Sequence, residues 1–309
     1  MTPRSKTVFQ STLRRAATLR GAGAHTAVEA VVTLLPAEAG SGVSFHLLDA
    51  EVQIPALWTH VRDARLRIEL GKGAGRVSTI EHLMAALHGL GVDNATIEVD
   101  GPEIPAMDGS AMEFVAAIRA AGLKRLAAPR RAIRVLQPVR VAAGAAWAEL
   151  TPTSTPRLDL DVEVAFAGPV GRQRARYGLD AKVFACEIAP ARTFGFVEDA
   201  ERLWRQGLAL GASLDNSVIF DKERVLNPGG LRHPNEMARH KLLDVLGDLA
   251  LAGAPIHGAF RSYRGGHALN LALVERLMTT QGAHEIVDAS APALRRRSAA
   301  RLCEIARSP

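Results

Sequence analysis

One ten-residue stretch puts three groups that could do chemistry on a single helical stripe. Residues 239–248 (RHKLLDVLGD) place His240, Asp244 and Asp248 at intervals of four residues. At about 3.6 residues per turn these side chains share one side of a helix, and leucines occupy the other side. A His and an Asp one turn apart can bind one zinc ion from a single rigid element. The alternative is an ordinary solvated helix face with one i, i+4 ion pair. Further ligand residues elsewhere in the chain are needed to decide between a metal site and an ion pair.

A second candidate helix carries a glutamate next to a histidine. Ser78 and Glu81 have the spacing of a capping box, which predicts a helix over about residues 78–90. Its apolar stripe leaves Glu81 and His82 on another side, beside two alanines. A face of alanines permits close approach by another helix. We therefore expect this helix to pack against a helix from elsewhere in the chain.

Together the two helices supply a ligand set for catalytic zinc. Such zinc takes three N or O ligands and leaves a fourth position for water. His240 and Asp244 would supply two of the ligands, and His82 is the best positioned third. Glu81, beside a ligand, stands where the general base of a hydrolytic reaction belongs. The other interpretation of Glu81 is the capping box itself, and both roles are compatible because capping leaves one carboxylate oxygen free.

A third histidine gains a role only if it has an acidic partner. His267 follows two glycines and opens a helix predicted over about residues 268–280, where the helix dipole disfavours imidazolium. Asp248, one turn beyond Asp244, is the acid that could face it. With that partner His267 is a candidate acid or electrostatic stabiliser, whereas a lone histidine after Gly-Gly is more often a turn residue.

Length and composition describe an ordinary globular chain. Its 309 residues suffice for two domains, and 48% hydrophobic with 23% charged residues gives no sign of disorder. The two cysteines, Cys186 and Cys303, form no Cys-x-x-Cys pair, so neither a disulfide framework nor a thiolate zinc site is indicated. No apolar run approaches the roughly 18 residues of a membrane span, and residues 1–23 lack a secretory signal. We therefore expect a cytoplasmic protein.

The net charge of +6 points to an anionic partner. Nucleic acid, an anionic membrane surface and a phosphorylated small ligand are the candidates. The basic residues are scattered rather than interleaved with aromatics, which make up only 5% of the chain. This pattern weakens the nucleic-acid interpretation, and we expect no nucleic-acid partner.

Each half of the chain has a pattern of strands together with helices. In the first half, strands are predicted at residues 28–35, 43–48, 65–70 and 94–99, and helices at residues 78–90 and 110–121. In the second half, strands are predicted at residues 133–141, 146–150, 158–166 and after Pro255, and helices at residues 198–207, 234–252 and 268–280. Residues 124–131 look like a linker. We predict an α+β fold of two domains, residues 1–126 and 132–309, each a sheet with helices on one face.

Six motifs, in order along the chain, resemble one enzyme family. They are residues 78–87 (STIEHLMAAL), 89–94 (GLGVDN), 102–110 (PEIPAMDGS), 191–196 (ARTFGF), 239–249 (RHKLLDVLGDL) and 266–270 (GHALN). All resemble the UDP-3-O-acyl-N-acetylglucosamine deacetylases, which perform the committed step of lipid A biosynthesis. The family motif Gly-Leu-His-Ser-Gly is weaker here, at residues 23–26, and a cysteine that some members carry has no counterpart around Leu66 and Arg67. None of these departures touches the proposed ligands.

The resemblance implies the chemistry of the metal site. According to the resemblance, His82, His240 and Asp244 bind one Zn²⁺ per chain, and Fe²⁺ is the alternative physiological metal. Glu81 then acts as general base on the metal-bound water, and the reaction removes the N-acetyl group of the substrate.

The resemblance also implies roles for residues around the metal. His267, oriented by Asp248, would serve as acid or as electrostatic partner on the oxyanion side, and the Thr193 hydroxyl would help to stabilise the tetrahedral oxyanion. Lys241 and Phe194 would contact the UDP-sugar, with Lys241 meeting the diphosphate charge. Whether Glu81 alone or His267 protonates the leaving amine stays open.

The family fold agrees with the pattern of elements. It consists of two similar two-layer α/β sandwich domains whose helices pack between the sheets, with the active site at the domain interface. An insert in the second domain forms an apolar passage for the acyl chain, here near residues 196–214. Six apolar residues could line it, namely Phe196, Val197, Leu203, Trp204, Leu208 and Leu210. We expect a monomer without a transmembrane span, in peripheral contact with the inner membrane.

Two other functions compete with this one. A basic, non-catalytic protein that binds nucleic acid through similar domains would show salt-sensitive binding and would not need His82 or Asp244. A zinc amidase that acts on another acylated amine would keep the metal site but would not need Lys241 or the apolar insert.

Overall fold

The first half of the chain builds a five-stranded sheet with two helices. The structure, a computed structural model, describes residues 7–289. The elements of this half are, in chain order, β1 (Phe9–Leu13), β2 (Ala17–Ala22), β3 (Glu29–Pro36), β4 (Val43–Leu47), β5 (Val52–Pro55), β6 (Val61–Asp63), β7 (Glu69–Lys72), β8 (Gly75–Ser78), α1 (Glu81–Leu90), β9 (Ala95–Asp100) and α2 (Met112–Ala121). The sheet has the order β2, β3, β9, β4, β5, and β6, β7 and β8 form a separate three-stranded sheet.

The second half builds a seven-stranded sheet around one central strand. Its elements are, in chain order, β10 (Leu123–Pro129), β11 (Arg131–Val135), β12 (Val139–Ala143), β13 (Ala146–Thr151), β14 (Leu158–Ala165), β15 (Arg172–Gly178), α3 (Ala181–Val183), β16 (Phe194–Phe196), α4 (Val197–Arg205), β17 (Val218–Phe220), α5 (Glu236–Ala250), β18 (Ile256–Tyr263), α6 (His267–Thr279) and β19 (His284–Asp288). Strand β18 pairs antiparallel with β13 and parallel with β11 and β14. Single turns of 3₁₀ or π helix lie at Trp58–His60, Gly168–Val170 and Phe184–Ile188.

Helices α1 and α5 pack directly against each other at the centre of the molecule. On α1 the residues Ala85 and Ala86 are both fully buried. On α5 a Cβ atom added at Gly247 would collide with the carbonyl oxygen of Glu81, so the backbones approach as closely as a glycine allows. Helix α1 therefore packs closely against a helix from elsewhere in the chain, as predicted, and the helices lie between the two sheets. The α+β class predicted from the sequence is confirmed.

Replacing Gly247 by Ala is expected to destabilise the protein by about 1–3 kcal/mol, because the added methyl group must push α1 away from α5. Alanine would by itself favour the helix, so any net loss of stability reports the collision. Urea unfolding measures the change. Gly229→Ala is the matched control, since its Cβ atom would meet nothing within 4 Å, and it should leave the midpoint nearly unchanged. Equal midpoints for both variants would contradict the close packing.

The strand alternation places one apolar face of each sheet in the core. On β14 the residues Leu158, Leu160, Val162 and Val164 are buried, as the alternation predicts, and α5 covers them. The acids between them point outward and pair with arginines of neighbouring strands, as Asp161 does with Arg174. This confirms that the sheet is covered on one side by apolar packing.

Three predictions about strands are wrong in detail. Residues 124–131 are not a linker, because β10 pairs antiparallel with β1 and continues almost directly into β11. The predicted strand 133–141 is two strands, separated at Pro138, which has no N–H to donate to a ladder. The strand predicted at residues 65–70 begins only at Glu69, and Leu66 is 46% exposed. The domain limits 1–126 and 132–309 stay a prediction.

The capping box predicted at Ser78 and Glu81 is wrong. Helix α1 begins at Glu81 after Ile80, and Ser78 is the last residue of β8. The Glu81 carboxylate is therefore not used as a cap and is available for the site. Helix α2 begins at Met112, whose N–H donates to the hydroxyl of Ser110 at 3.2 Å, but no side chain caps the helix reciprocally.

Within residues 7–289, no helix has both the length and the apolar composition needed to cross a membrane. The Arg-rich segment 292–309 and Cys303 lie outside the described residues.

Candidate active site

Three ligand atoms converge where α1 crosses α5. His82 is the second residue of α1, and His240 and Asp244 lie one turn apart on α5. The Nε2 atoms of His82 and His240 lie 3.6 and 3.4 Å from Oδ1 of Asp244. One ligand atom from each residue lies within 4.8 Å of the others, and all three side chains are buried. Two imidazoles and one carboxylate can hold a metal ion at this spacing.

The protonation of His240 and Asp244 suits a metal. Nδ1 of His240 donates a hydrogen bond to the carbonyl oxygen of Ala191 at 3.1 Å, which leaves Nε2 with its lone pair toward Asp244. Burial lowers the pKa of His240 to about 4, so its imidazole is neutral at pH 7. Burial alone would raise the pKa of Asp244, but Lys241, His240 and His82 hold it well below its usual range. The carboxylate of Asp244 and the neutral imidazole nitrogen of His240 are donors that zinc prefers.

Glu81 stands beside these three residues with one oxygen anchored. Its Oε2 accepts a hydrogen bond from the backbone N–H of Ile68 at 3.2 Å, and its Oε1 lies 4.0 Å from Nε2 of His267. Burial raises the pKa of the Glu81 carboxyl, and the nearby His267 and His82 only partly oppose this. A carboxylate with raised pKa takes up a proton more readily near neutral pH, as a general base must.

His267 is fixed by an acid and an amide behind it. Its Nδ1 donates to both carboxylate oxygens of Asp248, at 3.0 and 2.9 Å, and Nδ2 of Asn270 donates to the same carboxylate at 2.8 Å. Burial alone would lower the pKa of His267, but the charge and hydrogen bond of Asp248, together with the charges of Asp244 and Glu81, raise it to about 9. The other ring nitrogen, Nε2, lies 3.9 Å from Oδ2 of Asp244. The imidazole therefore presents a proton to the space in front of the three ligands.

Replacing Asp248 by Asn is expected to lower the pKa of His267 from about 9 toward its ordinary value, because the charge that stabilises the imidazolium is lost. NMR titration of the metal-free protein measures this pKa directly. At pH 8 the imidazole would then be mostly neutral. Asp93→Asn, which removes a buried carboxylate at the far end of α1, should not change the titration. An unchanged His267 pKa in Asp248→Asn would contradict the proposed pairing.

Lys241 and Phe194 line one side of the site. Nζ of Lys241 donates to Oδ2 of Asp244 at 2.8 Å and lies 5.6 Å from the centroid of the Phe194 ring. The Phe194 ring meets His240 edge-on at 6.2 Å between centroids. Burial alone would lower the pKa of Lys241, but the charge and hydrogen bond of Asp244, together with nearby carboxylates, raise it, so the ammonium stays charged. Both residues predicted to contact substrate thus border the ligand residues.

Thr193 is held nearby through its main chain. Its N–H donates to the carbonyl oxygen of Gly109 at 2.8 Å, and its own carbonyl accepts from the N–H of Val218 at 2.7 Å. It follows Ala191, the partner of His240, by two residues. Within the described part of the chain, no contact joins the Thr193 hydroxyl to the three ligand residues, so its role in the oxyanion site stays a prediction.

Sequence reasoning missed two residues that position this side of the site. Arg192 donates from Nε and Nη2 to the buried carboxylate of Glu236, at 2.9 and 3.2 Å, and so ties the segment carrying Thr193 to the first turn of α5. Asn270 lies in the motif at residues 266–270 and donates to Asp248. Arg192 lies next to Thr193 and Asn270 follows His267 by three residues, so closeness to predicted site residues was the available signal.

The segment proposed as the acyl passage is largely exposed. No residue of α4 is buried, and Val197, Trp204 and Leu210 are 49%, 55% and 51% exposed. Leu203 and Leu208 are half-buried. Phe196, at the start of this segment, packs on an aromatic group with Phe166, Phe194 and Phe220. The segment thus offers an apolar surface that begins at the aromatic ring bordering His240.

The sequence matches one family of known proteins over most of its length. The sequence model of the UDP-3-O-acyl N-acetylglycosamine deacetylase family matches residues 10–279. Among similar curated proteins are the UDP-3-O-acyl-N-acetylglucosamine deacetylases of Brucella ovis, Brucella canis and Brucella suis, each 45% identical over 285 residues. The match covers 91% of this chain and 99% of each relative. The chain therefore belongs to the UDP-3-O-acyl N-acetylglycosamine deacetylase family.

Proposed function

We propose that this protein removes the N-acetyl group from UDP-3-O-acyl-N-acetylglucosamine, in a reaction that depends on one divalent cation and supplies lipid A biosynthesis. The observation that carries the proposal is the convergence of His82, His240 and Asp244 within 4.8 Å, with the carboxylate of Glu81 beside them. The name of the substrate comes from the relatives, which cover nearly the whole chain.

The metal is proposed to be zinc, with ferrous iron as the alternative. His82, His240 and Asp244 would hold it, since one ligand atom from each lies within 4.8 Å of the others. When bound, the cation would polarise the scissile carbonyl and make a water molecule more acidic. The hydrogen bond from His240 to Ala191 keeps one ligand ring in a single orientation and tautomer.

Glu81 and His267 divide the proton transfers between them. Glu81 takes a proton from the attacking water, because its raised pKa and its position next to the ligands suit a base. His267, protonated below pH about 9, donates to the oxyanion or to the leaving amine. The Thr193 hydroxyl is proposed to assist on the oxyanion side. Since Glu81 Oε1 and His267 Nε2 are only 4.0 Å apart, both groups face the same reacting atoms.

Substrate binding is assigned to the borders of the site. Lys241 meets the diphosphate, Phe194 packs on the sugar, and the apolar insert receives the acyl chain. The exposed apolar residues of the insert also suit peripheral contact with the inner membrane from the cytoplasm. We propose that the protein acts as a monomer, because the ligand residues all come from one chain.

Replacing Lys241 by Ala is expected to raise KM for the UDP-sugar by about 10- to 100-fold, which is the effect of losing one charge-assisted hydrogen bond to a phosphate. Steady-state kinetics and the inhibition constant of free UDP measure this effect. Lys241→Arg keeps the charge and should retain more of the affinity. An amidase acting on another acylated amine would not need Lys241, so an unchanged KM would favour that alternative.

The test of the proposed function is acetate release from UDP-3-O-acyl-N-acetylglucosamine, run together with metal analysis. We expect one cation per chain and acetate release that a chelator abolishes. Metal binding without acetate release would point to an amidase for another acylated amine. Salt-sensitive binding of RNA or DNA without need for His82 or Asp244 would point to the nucleic-acid alternative.

A further inference from the structure

The residue two positions before Glu81 has a strained backbone. Thr79 is buried and has φ of 59°, in the left-handed region that β-branched residues rarely adopt. It lies between the end of β8 and the start of α1, so its conformation sets the direction in which α1 leaves the strand. Such strain persists only when surrounding contacts hold it, and these contacts can be identified here.

One carboxylate supplies the side-chain contact that holds Thr79. Glu103 is fully buried, and its Oε1 accepts a hydrogen bond from the Thr79 hydroxyl at 2.7 Å. Two backbone hydrogen bonds also hold this segment. Thr79 N–H donates to Ile68 O at 2.9 Å, and Ile104 N–H donates to Ser78 O at 3.0 Å. Residue 68 is also the residue whose N–H anchors Glu81. The start of α1 is therefore clamped from two sides.

The same carboxylate organises a second loop at the site. Glu103 accepts hydrogen bonds from the N–H of His25 at 3.0 Å and from the N–H and the hydroxyl of Thr26, both at 2.8 Å. Burial alone would raise the pKa of Glu103, but these donors and Thr79 hold it below its ordinary value, so the group is ionised. An ionised, buried carboxylate with all its partners on two loops fixes those loops relative to each other.

We propose that Glu103 is a positioning residue for the deacetylation reaction, which holds Thr79 in its left-handed conformation and thereby aims Glu81 and His82. The proposal rests on the proposed function for its kinetic consequence. Its structural consequence concerns metal binding as well, because His82 is the second residue of the helix whose start Glu103 clamps. Glu103 touches neither the ligand residues nor Glu81 directly, so it acts through Thr79.

Replacing Glu103 by Ala removes the acceptor, and Thr79 is then expected to relax toward an ordinary φ. A displacement of about 1 Å at Glu81 and His82 lowers kcat/KM by about 100-fold. The affinity for zinc, measured by competition with a chelating dye, should fall by about 10- to 100-fold, as when an outer-shell partner is lost. Glu103→Gln keeps one oxygen that can accept from Thr79 and should show smaller losses in both measurements.

A second substitution separates positioning from plain stability. Glycine adopts the left-handed conformation freely, so Thr79→Gly removes the strain that Glu103 opposes. We expect Thr79→Gly alone to change zinc affinity little, and the double variant Thr79→Gly/Glu103→Ala to recover at least about tenfold of the affinity lost in Glu103→Ala. A residue needed only for stability would not produce this rescue. Cobalt absorption spectra of the four proteins report whether the ligand geometry is restored.

Asp93→Ala is the matched control. This carboxylate is also largely buried and accepts from Ser11 N–H at 2.8 Å and from Arg130 Nε at 2.6 Å, but it lies past the far end of α1. It should cost stability without changing zinc affinity or kcat/KM. The proposal is overturned if Glu103→Ala and Glu103→Gln keep wild-type zinc affinity, or if the double variant binds zinc no better than Glu103→Ala. A wild type that binds zinc without releasing acetate would refute the proposed function instead, and the zinc measurements would still test Glu103.

Discussion

Replacing Glu81 by Gln is expected to lower kcat for acetate release by about 10²- to 10⁴-fold, which is the usual contribution of a positioned general base. Gln keeps an oxygen that can accept from Ile68 N–H, so the local packing should survive. It cannot take up a proton, however, and the base function is lost. KM and metal content should stay near the wild-type values, because Glu81 is not one of the three converging ligand residues.

Glu113→Gln is the matched control for this variant. Glu113 is the second residue of α2 and, like Glu81, lies in the first turn of its helix, but its side chain is exposed. It does not border the ligand residues, so its replacement should leave kcat within about a factor of two, as expected for a substitution remote from the reacting groups. If Glu81→Gln kept full turnover with its metal content intact, the assignment of the base would be wrong.

Replacing His240 by Ala is expected to weaken zinc binding by more than about 100-fold, beyond the 10- to 100-fold cost of losing an outer-shell partner. Two of the three ligand residues would remain, and the buried carboxylate of Asp244 would lose a partner. Acetate release should fall to background at equimolar zinc. His82→Ala should behave in the same way, because the two rings approach the same oxygen from different helices.

His88→Ala controls for the loss of an imidazole from the same helix. His88 lies on α1 with His82, and burial lowers its pKa to about 4, as for His240. It is near the C-terminal end of the helix and away from the ligand residues. Zinc content of the purified variants, measured by elemental analysis, should stay near one per chain for His88→Ala and fall for the ligand variants. Equal zinc content in all of them would contradict the assigned ligands.

The alignment of the three polar residues on α5 could be predicted because it depends on short-range periodicity. His240, Asp244 and Asp248 recur every four residues, and any α-helix places them on one side. The small residues of α1 likewise indicated close packing by another helix, and Gly247 of α5 approaches the α1 backbone at Glu81. The α+β class followed from the same periodicities.

What the sequence alone could not provide are contacts between distant segments. Ser78 and Glu81 have the spacing of a capping box, but Ser78 pairs with the segment around Glu103 in a β bridge, so the helix starts later. The competing backbone pairing came from a residue that lies far away in the chain, and no local pattern revealed it. The left-handed φ of Thr79 was hidden for the same reason, since nothing in its neighbours requires it.

The strand errors have a similar origin. Residues 124–131 contain basic and small residues and a proline, which resemble a linker, but β1 offers an unpaired edge to which they bind as β10. Whether a segment with weak strand propensity becomes a strand depends on an available partner. Asn270 illustrates the same limit for the site, because its role depends on the position of Asp248 on another helix.

The central claim is that helices α1 and α5 hold one cation between them and that turnover requires it. Its most direct test is titration of the metal-free protein with zinc, following acetate release from UDP-3-O-acyl-N-acetylglucosamine. We expect no acetate release without metal. The rate of acetate release should rise linearly with added zinc and saturate at one zinc per chain, and it should not rise at equimolar zinc in His240→Ala. Acetate release by the metal-free protein, or an undiminished rise in His240→Ala, would contradict this claim.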